Sequence, residues 1–395
     1  MTEQNRKALI LPGAGARGAY QVGVLKAIAE MLPRRARNPF SVISGASAGA
    51  INAAVLASRA QHFEYAAADM EAVWANFSVD QVFRADALTM LKSSLHWFAA
   101  VVFGGFGVPK PNALLDNAPL EQLLRERVPF ARIATAIERG HLDALVVTAS
   151  AYSSARSVSF YQTSLSCPPW HRVRRIGRPE TIKLAHLMAS AAVPFIFGPV
   201  KIGQEYYGDG SMRHQTPLSA AIHLGAERLL VIGVRDEHPD PEPTASRPQA
   251  PPNIAHIAGY MLDTLFMDGI YSDLERATRI NSILEKVGPI ESRRGILRPV
   301  ETLLIVPSED IRDIAARHVH ELPRPLRALL RGIGAMNPSG MQFVSYLLFE
   351  SGYTRDLIQL GYRDAKQNDE EIRAFLFDAP VGSLDAPAYI RAQIE

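Results

Sequence analysis

The chain has 395 residues and a single cysteine, Cys167. One thiol cannot close an intrachain disulfide, so the fold must rest on its core, and a reducing compartment is the expectation. Excess charge is scarce as well. Forty-two Lys and Arg against 40 Asp and Glu leave a formal +2, which argues against a nucleic-acid binder working through bulk charge. No stretch reaches the roughly 20 apolar residues that cross a bilayer. The polar start, Met1 to Lys7, leads into only a short apolar run and does not have the form of a secretory signal. No acidic loop has EF-hand spacing and no His/Cys cluster has metal-ligand spacing, so neither a metal nor another cofactor is expected. Together these absences predict a cytoplasmic protein, soluble or in peripheral contact with a membrane.

What is present is a large apolar fraction, 47%, enough for one large domain with additional layers. Strand-like runs at 8–11, 42–44, 144–148, 158–161, 229–234 and 302–306 alternate with helix-period segments such as 21–31, 66–77 and 217–224. That alternation predicts an α/β fold with a mostly parallel sheet. Prolines 239, 241, 243, 248, 251 and 252 mark 236–253 as a linker or exposed loop. Residues 254–287 read as one long or broken helical region. It is either a packing helix or one whose Tyr260, Leu262, Leu265, Phe266 and Ile270 cover one side of a site.

Gly45-Ala46-Ser47-Ala48-Gly49 is a G-x-S-x-G turn between a β-branched run and a small, helix-forming stretch. A serine at such a strand-to-helix turn lifts its hydroxyl clear of the sheet, and small neighbours let a carbonyl approach. Upstream, Gly13-Ala14-Gly15-Ala16-Arg17-Gly18 follows an apolar strand and opens a helix. Its free N–H groups and the helix dipole suit a negative oxygen, either a dinucleotide pyrophosphate or the oxyanion of an acyl intermediate. The dinucleotide fingerprint wants an acid about twenty residues on. No acid lies between Glu30 and Glu64, and the second strand ends at Ser47 instead, so the oxyanion reading is favoured. A serine also needs a base. Asp209, between Gly208 and Gly210, is the candidate, with an ordinary Asp-Gly hairpin turn as the plainer alternative. His171, His186 and His214 are weighed as triad members and set aside as structural or surface residues.

These elements, in this order and spacing, resemble the patatin-like phospholipases, whose pattern is G-G-G-x-R-G, then G-x-S-x-G, then D-G-A or D-G-G. The flanks at 19–25, 114–120, 189–195 and 198–200 agree, and the resemblance covers about residues 7 to 235. It implies a three-layer α/β fold and a Ser47/Asp209 dyad. Ser47 would attack a lipid ester, Asp209 would take its proton and later activate water, and the N–H groups of Gly13 to Ala16 would hold the oxyanion. Arg17 would mainly fix the loop and add positive potential for a phosphate headgroup. Gly18, Gly45, Gly49 and Gly210 complete the motifs. Two departures stand out. Ala14 replaces the second loop glycine, which predicts negative φ there or room for a methyl, and Ser211 closes the acid motif.

The resulting expectation is a metal-free serine acyl hydrolase of phospholipase A or lysophospholipase type. Its partner is a phospholipid or other lipid ester, and its oligomeric state is left open. A thioesterase, an acyl transferase or an idle lipid-binding regulatory protein are the alternatives. The expected organisation is a catalytic domain over 7–235, the Pro-rich linker at 236–253, a continuation at 254–307 and a helical accessory region at 308–395. Two segments bear on membrane contact: the aromatic, glycine-hinged 95–108, as lid, interfacial patch or core, and the basic run 171–178, as solvated face or headgroup contact.

Overall fold

The computed structural model describes residues 6–86, 113–214, 216–236, 251–288, 290–292, 295–380 and 384–385. The strands are β1 (Lys7–Leu11), β2 (Val42–Ala46), β3 (Ala144–Ala151), β4 (Arg156–Thr163), β5 (Trp170–Arg172), β6 (Arg175–Pro179), β7 (Val200–Ile202), β8 (Glu205–Gly208), β9 (Arg228–Ile232), β10 (Ile290–Ser292), β11 (Gly295–Leu297), β12 (Glu301–Ile305) and β13 (Leu384–Asp385). The central sheet runs β13-β12-β9-β1-β2-β3-β4-β6-β5, while β7 and β8 pair with each other and β8 joins the end of β3. From β13 to β3 every pairing is parallel; β3 and β4 are antiparallel.

The helices are α1 (Gly18–Met31), α2 (Ala48–Ser58), α3 (Phe63–Trp74), α4 (Ala118–Arg127), α5 (Phe130–Glu138), α6 (Leu184–Ser190), α7 (Ser219–His223), α8 (Ile254–Asp263), α9 (Gly269–Val287), α10 (Ile311–His318), α11 (Arg324–Gly332), α12 (Met341–Leu347), α13 (Ser351–Gln367) and α14 (Asp369–Leu376). They cover both faces of the sheet. Period-2 alternation in each buried strand produces this layering. Leu9, Leu11, Ile43, Leu145, Val147, Leu230 and Ile232 belong to one core, with α1, α2 and α13. Their alternates Ala8, Ile10, Val42, Ala144, Val146, Leu229 and Val231 belong to the other, with α7 and α9. The fold is thus the three-layer α/β arrangement with a mostly parallel sheet. The segment 254–287 is a broken helix, with a π-helical turn at Thr264–Asp268 between α8 and α9.

Parallel neighbours β1 and β2 end at the same level, Leu11 opposite Gly45. On the other side of β2, Ala46 lies opposite Thr148, and β3 in turn pairs with β8 through Ser150 and Gly208. The loop after β1, the turn after β2 and the residue after β8 therefore gather at the carboxyl ends of the strands, where open α/β sheets bind their ligands.

Candidate active site

Ser47 is the N-cap residue of α2 and has φ 52° and ψ −131°, a left-handed conformation that a non-glycine residue adopts only when its surroundings force it. The flanking glycines supply the force. A Cβ on Gly45 would strike the backbone of Gly49 and Ala50, and one on Gly49 would strike the Leu11 and Pro12 carbonyls, so the turn closes tightly against the end of β1. The Ser47 N–H donates to Ser190 Oγ at 2.9 Å, and Ser190 Oγ donates to the Thr148 carbonyl at 2.6 Å. Ser190, at the end of α6, thereby pins the turn to β3. It lies in the 189–195 flank, but that flank gave no reason to assign it a role.

The Asp209 carboxyl is only 2% exposed. Oδ1 accepts the Ser211 N–H at 2.8 Å and the Asp209 N–H donates to the Ala192 carbonyl at 2.9 Å. Oδ2 has no hydrogen-bond partner of ordinary geometry among the described residues. Burial pushes the carboxyl pKa up to about 6, while the nearby Ser47 hydroxyl and the Ser211 N–H draw it partly back. Gly210 rests against the Thr148 carbonyl, where a Cβ would not fit. Ser211 is buried beside Gly13, so the departure at this position places a hydroxyl against the first glycine of the loop.

In that loop the positive φ falls on Gly15, at 52°, and a Cβ there would also meet the Tyr346 carbonyl. Ala14 has φ −146°, so the methyl group that replaces the family's second glycine is accommodated. Arg17 N–H bonds back to the Ala14 carbonyl. The N–H groups of Gly13 through Ala16 precede the first bonded turn and have no acceptor among the described residues. Gly18 opens α1.

The Arg17 side chain is buried and fully engaged. Nε donates to Ser345 Oγ at 2.9 Å, Nη1 donates to Asp263 Oδ1 at 3.1 Å and to the Tyr346 hydroxyl at 3.0 Å, and the guanidinium stacks 3.9 Å from the Tyr346 ring centroid. Burial alone would lower the Arg17 pKa, but Tyr346 and Asp263 hold it above its ordinary value. Burial would likewise raise Asp263, but Arg17 keeps it below. Arg17 is therefore the post that fixes the loop. Its charge is neutralised inside the protein and is not presented to a headgroup.

Ser47 and Gly15 line one cavity of about 140 Å³, bounded mainly by apolar side chains. From α2 come Ala48, Ile51, Asn52, Val55 and the adjoining Arg59, a helical i, i+3, i+4, i+7 face. Met70, Val73 and Trp74 of α3 and Leu120, Leu123 and Leu124 of α4 form further walls. Leu262 and Phe266 close one side with Tyr346, Leu347 and Phe349. Of the expected cover from 254–287, Leu262 and Phe266 thus reach the cavity, whereas Tyr260 is exposed and Ile270 joins the second core.

None of the three histidines joins Ser47 and Asp209. His186 Nδ1 accepts the Lys183 N–H at 2.9 Å and its ring packs on Phe160. His171 is exposed on β5. His214 has its pKa lowered to about 4 by burial and by Arg175. The basic run 171–178 forms the β5–β6 hairpin at the sheet edge, where Arg175 bonds Thr216 and Arg178 lies over Phe160. Segment 95–108 lies outside the described residues, as does 237–250 of the Pro-rich stretch. Among the described residues no group of three His, Cys, Asp or Glu side chains could hold a metal, and no helix is long and apolar enough to cross a membrane.

The crystal structure of VipD from Legionella pneumophila aligns with 95% of this chain and 67% of its own, at 12% identity and a TM-score of 0.38. No match was found among curated proteins. The family model described as Patatin-like phospholipase matches residues 9–222, more than half of the chain and all three site motifs, and the protein belongs to the patatin-like phospholipase family.

Proposed function

We propose that the protein is a lipid acyl hydrolase of phospholipase A or lysophospholipase type working through a Ser47/Asp209 dyad. The observation that carries the reading is the meeting, in one apolar cavity, of a conformationally forced serine and a loop of unpaired N–H groups, with a buried carboxyl beside them whose pKa is about 6. Such a carboxylate is ionised at neutral pH yet basic enough to accept a proton. Asp209 takes the Ser47 hydroxyl proton as Oγ bonds to the ester carbonyl carbon. The oxyanion that forms is held by the N–H groups of the 13–16 loop. Collapse breaks the ester C–O bond, and Asp209 returns its proton to the departing alcohol. Water then repeats the sequence on the acyl-enzyme with Asp209 as base, releasing the fatty acid and restoring Ser47. A thiol or alcohol acceptor in place of water would make the same acyl-enzyme a transferase intermediate.

Intact-mass measurement and peptide mapping after fluorophosphonate treatment test the dyad. The adduct is expected on Ser47, absent in Ser47→Ala and slowed in Asp209→Asn by roughly 10²–10⁴-fold, the usual worth of a positioned base. An adduct on another serine, or none on folded protein, would sink the reading.

A further inference from the structure

Helix α8 is apolar on two faces. Its inner face, Ala255, Gly259 and Leu262, packs against α12 and leads through the π turn to Phe266 in the catalytic cavity. Its outer face carries Ile254, Ile257, Tyr260 and Met261 at 69%, 49%, 67% and 54% exposure. Four large apolar side chains on little more than two turns form a contiguous patch that water does not favour. The fold does not need them, because the helix is already held by its other face. A helix that turns a second apolar face to the surface lacks part of its natural surroundings.

Beside the start of α8 lies the end of α11. The Ala255 N–H donates to the Ile333 carbonyl at 3.3 Å and Asn253 Nδ2 to the Gly334 carbonyl at 3.1 Å. Helix α11 buries Leu326 and Leu330 and turns Arg324, Arg327 and Arg331 outward or to the rim. None of these three arginines forms an ion pair with another described residue. An apolar helix face beside a helix whose arginines have no ion pair among the described residues is the pattern of a surface that enters the headgroup region of an anionic bilayer.

We propose that the outer face of α8 and the arginine row of α11 form the surface by which this protein docks on an anionic lipid membrane. The proposal rests on the reading of the cavity as a lipid acyl hydrolase site, since the inner face of the same helix walls that cavity. Docking there sets the substrate source and the catalytic cavity on opposite sides of one helix. The basic β5–β6 hairpin is a weaker candidate, because Arg175 and Arg178 are engaged within the protein.

Vesicle co-sedimentation of the full chain carrying Ser47→Ala, so that no lipid is consumed, tests the surface. Phosphatidylglycerol vesicles should be bound in preference to phosphatidylcholine vesicles, with the preference lost in high salt. Tyr260→Ser with Met261→Ser should weaken binding to phosphatidylglycerol tenfold or more. Arg324→Glu with Arg331→Glu should weaken it by at least as much, through loss and reversal of two charges. Because all four positions are exposed, thermal unfolding should hardly move. Undiminished vesicle binding by these variants, or no binding by the parent, would overturn the proposal. So would concentration-dependent dimers that the same substitutions dissolve, which would assign the face to a second copy. Hydrolysis of a short soluble ester by the Ser47 form separates the two readings. Ester turnover without vesicle binding removes the docking surface alone, and vesicle binding without turnover removes the hydrolase alone.

Discussion

At the scale of single residues, the candidate site gives up stability in two places. Ser47 holds a positive φ that costs about 1–3 kcal/mol, and Asp209 is buried with one carboxylate oxygen unpartnered among the described residues. The second cost has a defined pH dependence. Asp209 is raised from 3.8 to about 6 by burial, so between those values the folded chain holds its proton more tightly than the unfolded chain does. The stability this gives is present in full below the unfolded value and is lost as pH rises through about 6, leaving a cost of about 3 kcal/mol at neutrality. Asp209→Asn keeps an acceptor for the Ser211 N–H and never ionises. It is expected to raise the unfolding midpoint relative to wild type at pH 7 and to match wild type at pH 3. Equal midpoints at both pH values would show that Asp209 is not desolvated as described. In the proposed dyad activity runs the other way, because only the carboxylate acts as base. Hydrolysis of a soluble ester should rise with pH through about 6 and then level off.

At the scale of elements, α2 does two jobs: its first residue is preceded by Ser47, the proposed nucleophile, and its face from Ala48 to Arg59 walls the cavity. The twelve residue steps along α2 from Ser47 to Arg59 span about 18 Å. Arg59, at the far end of this wall, is held by Asp69 at 2.7 Å, and an acyl group bound in the cavity would run from Ser47 toward that ion pair. Val55→Trp, one helical turn short of that ion pair, should therefore shift the preferred ester to chains shorter by several carbons while sparing the shortest ones. A uniform loss over a series of 4-nitrophenyl esters would place the chain elsewhere. Much of this architecture was legible beforehand. The buried parallel strands are continuous apolar runs, and Gly13 to Gly18, Ser47 and Asp209 declare themselves through local glycine and acid chemistry. The walls from α3, α4 and α12 were not legible, because an apolar residue facing a cavity reads the same as one facing the core. The membrane reading of 171–178 relied on composition, and composition does not show which arginines the fold has already engaged; 95–108 lies outside the described residues.

At the scale of the whole molecule, the glycine-rich loop after β1 depends on residues that the sequence separates widely. Arg17 meets Asp263 across 246 positions and Tyr346 across 329, spacings no local pattern reveals. The chain after β9 also adds β12 to the central sheet and lays α13 along α1, the helix that begins where the loop ends. The contact between these two helices is backbone to backbone. A Cβ on Gly23 would meet the Ile358 carbonyl, and one on Gly361 would meet the Tyr20 carbonyl. The Tyr20 hydroxyl donates to Asp364 at 2.9 Å, and the Asp364 carboxylate in turn accepts from Ser308 Oγ. A methyl group at Gly361 must push α13 away from α1, and overpacking of this kind costs about 1–3 kcal/mol. Gly361→Ala is therefore expected to lower the unfolding midpoint by a few degrees. Because α1 carries Gly18 and the preceding loop with it, the same variant should also slow fluorophosphonate labelling of Ser47, although position 361 touches neither Ser47 nor the cavity. Gly332→Ala serves as the control, since a Cβ there meets nothing within 4 Å, and it should leave both measurements close to wild type. A lowered midpoint with unchanged labelling would mean that α13 supports the fold without setting the loop, and the geometry of Gly13 to Ala16 would then rest on the Arg17 clasp alone.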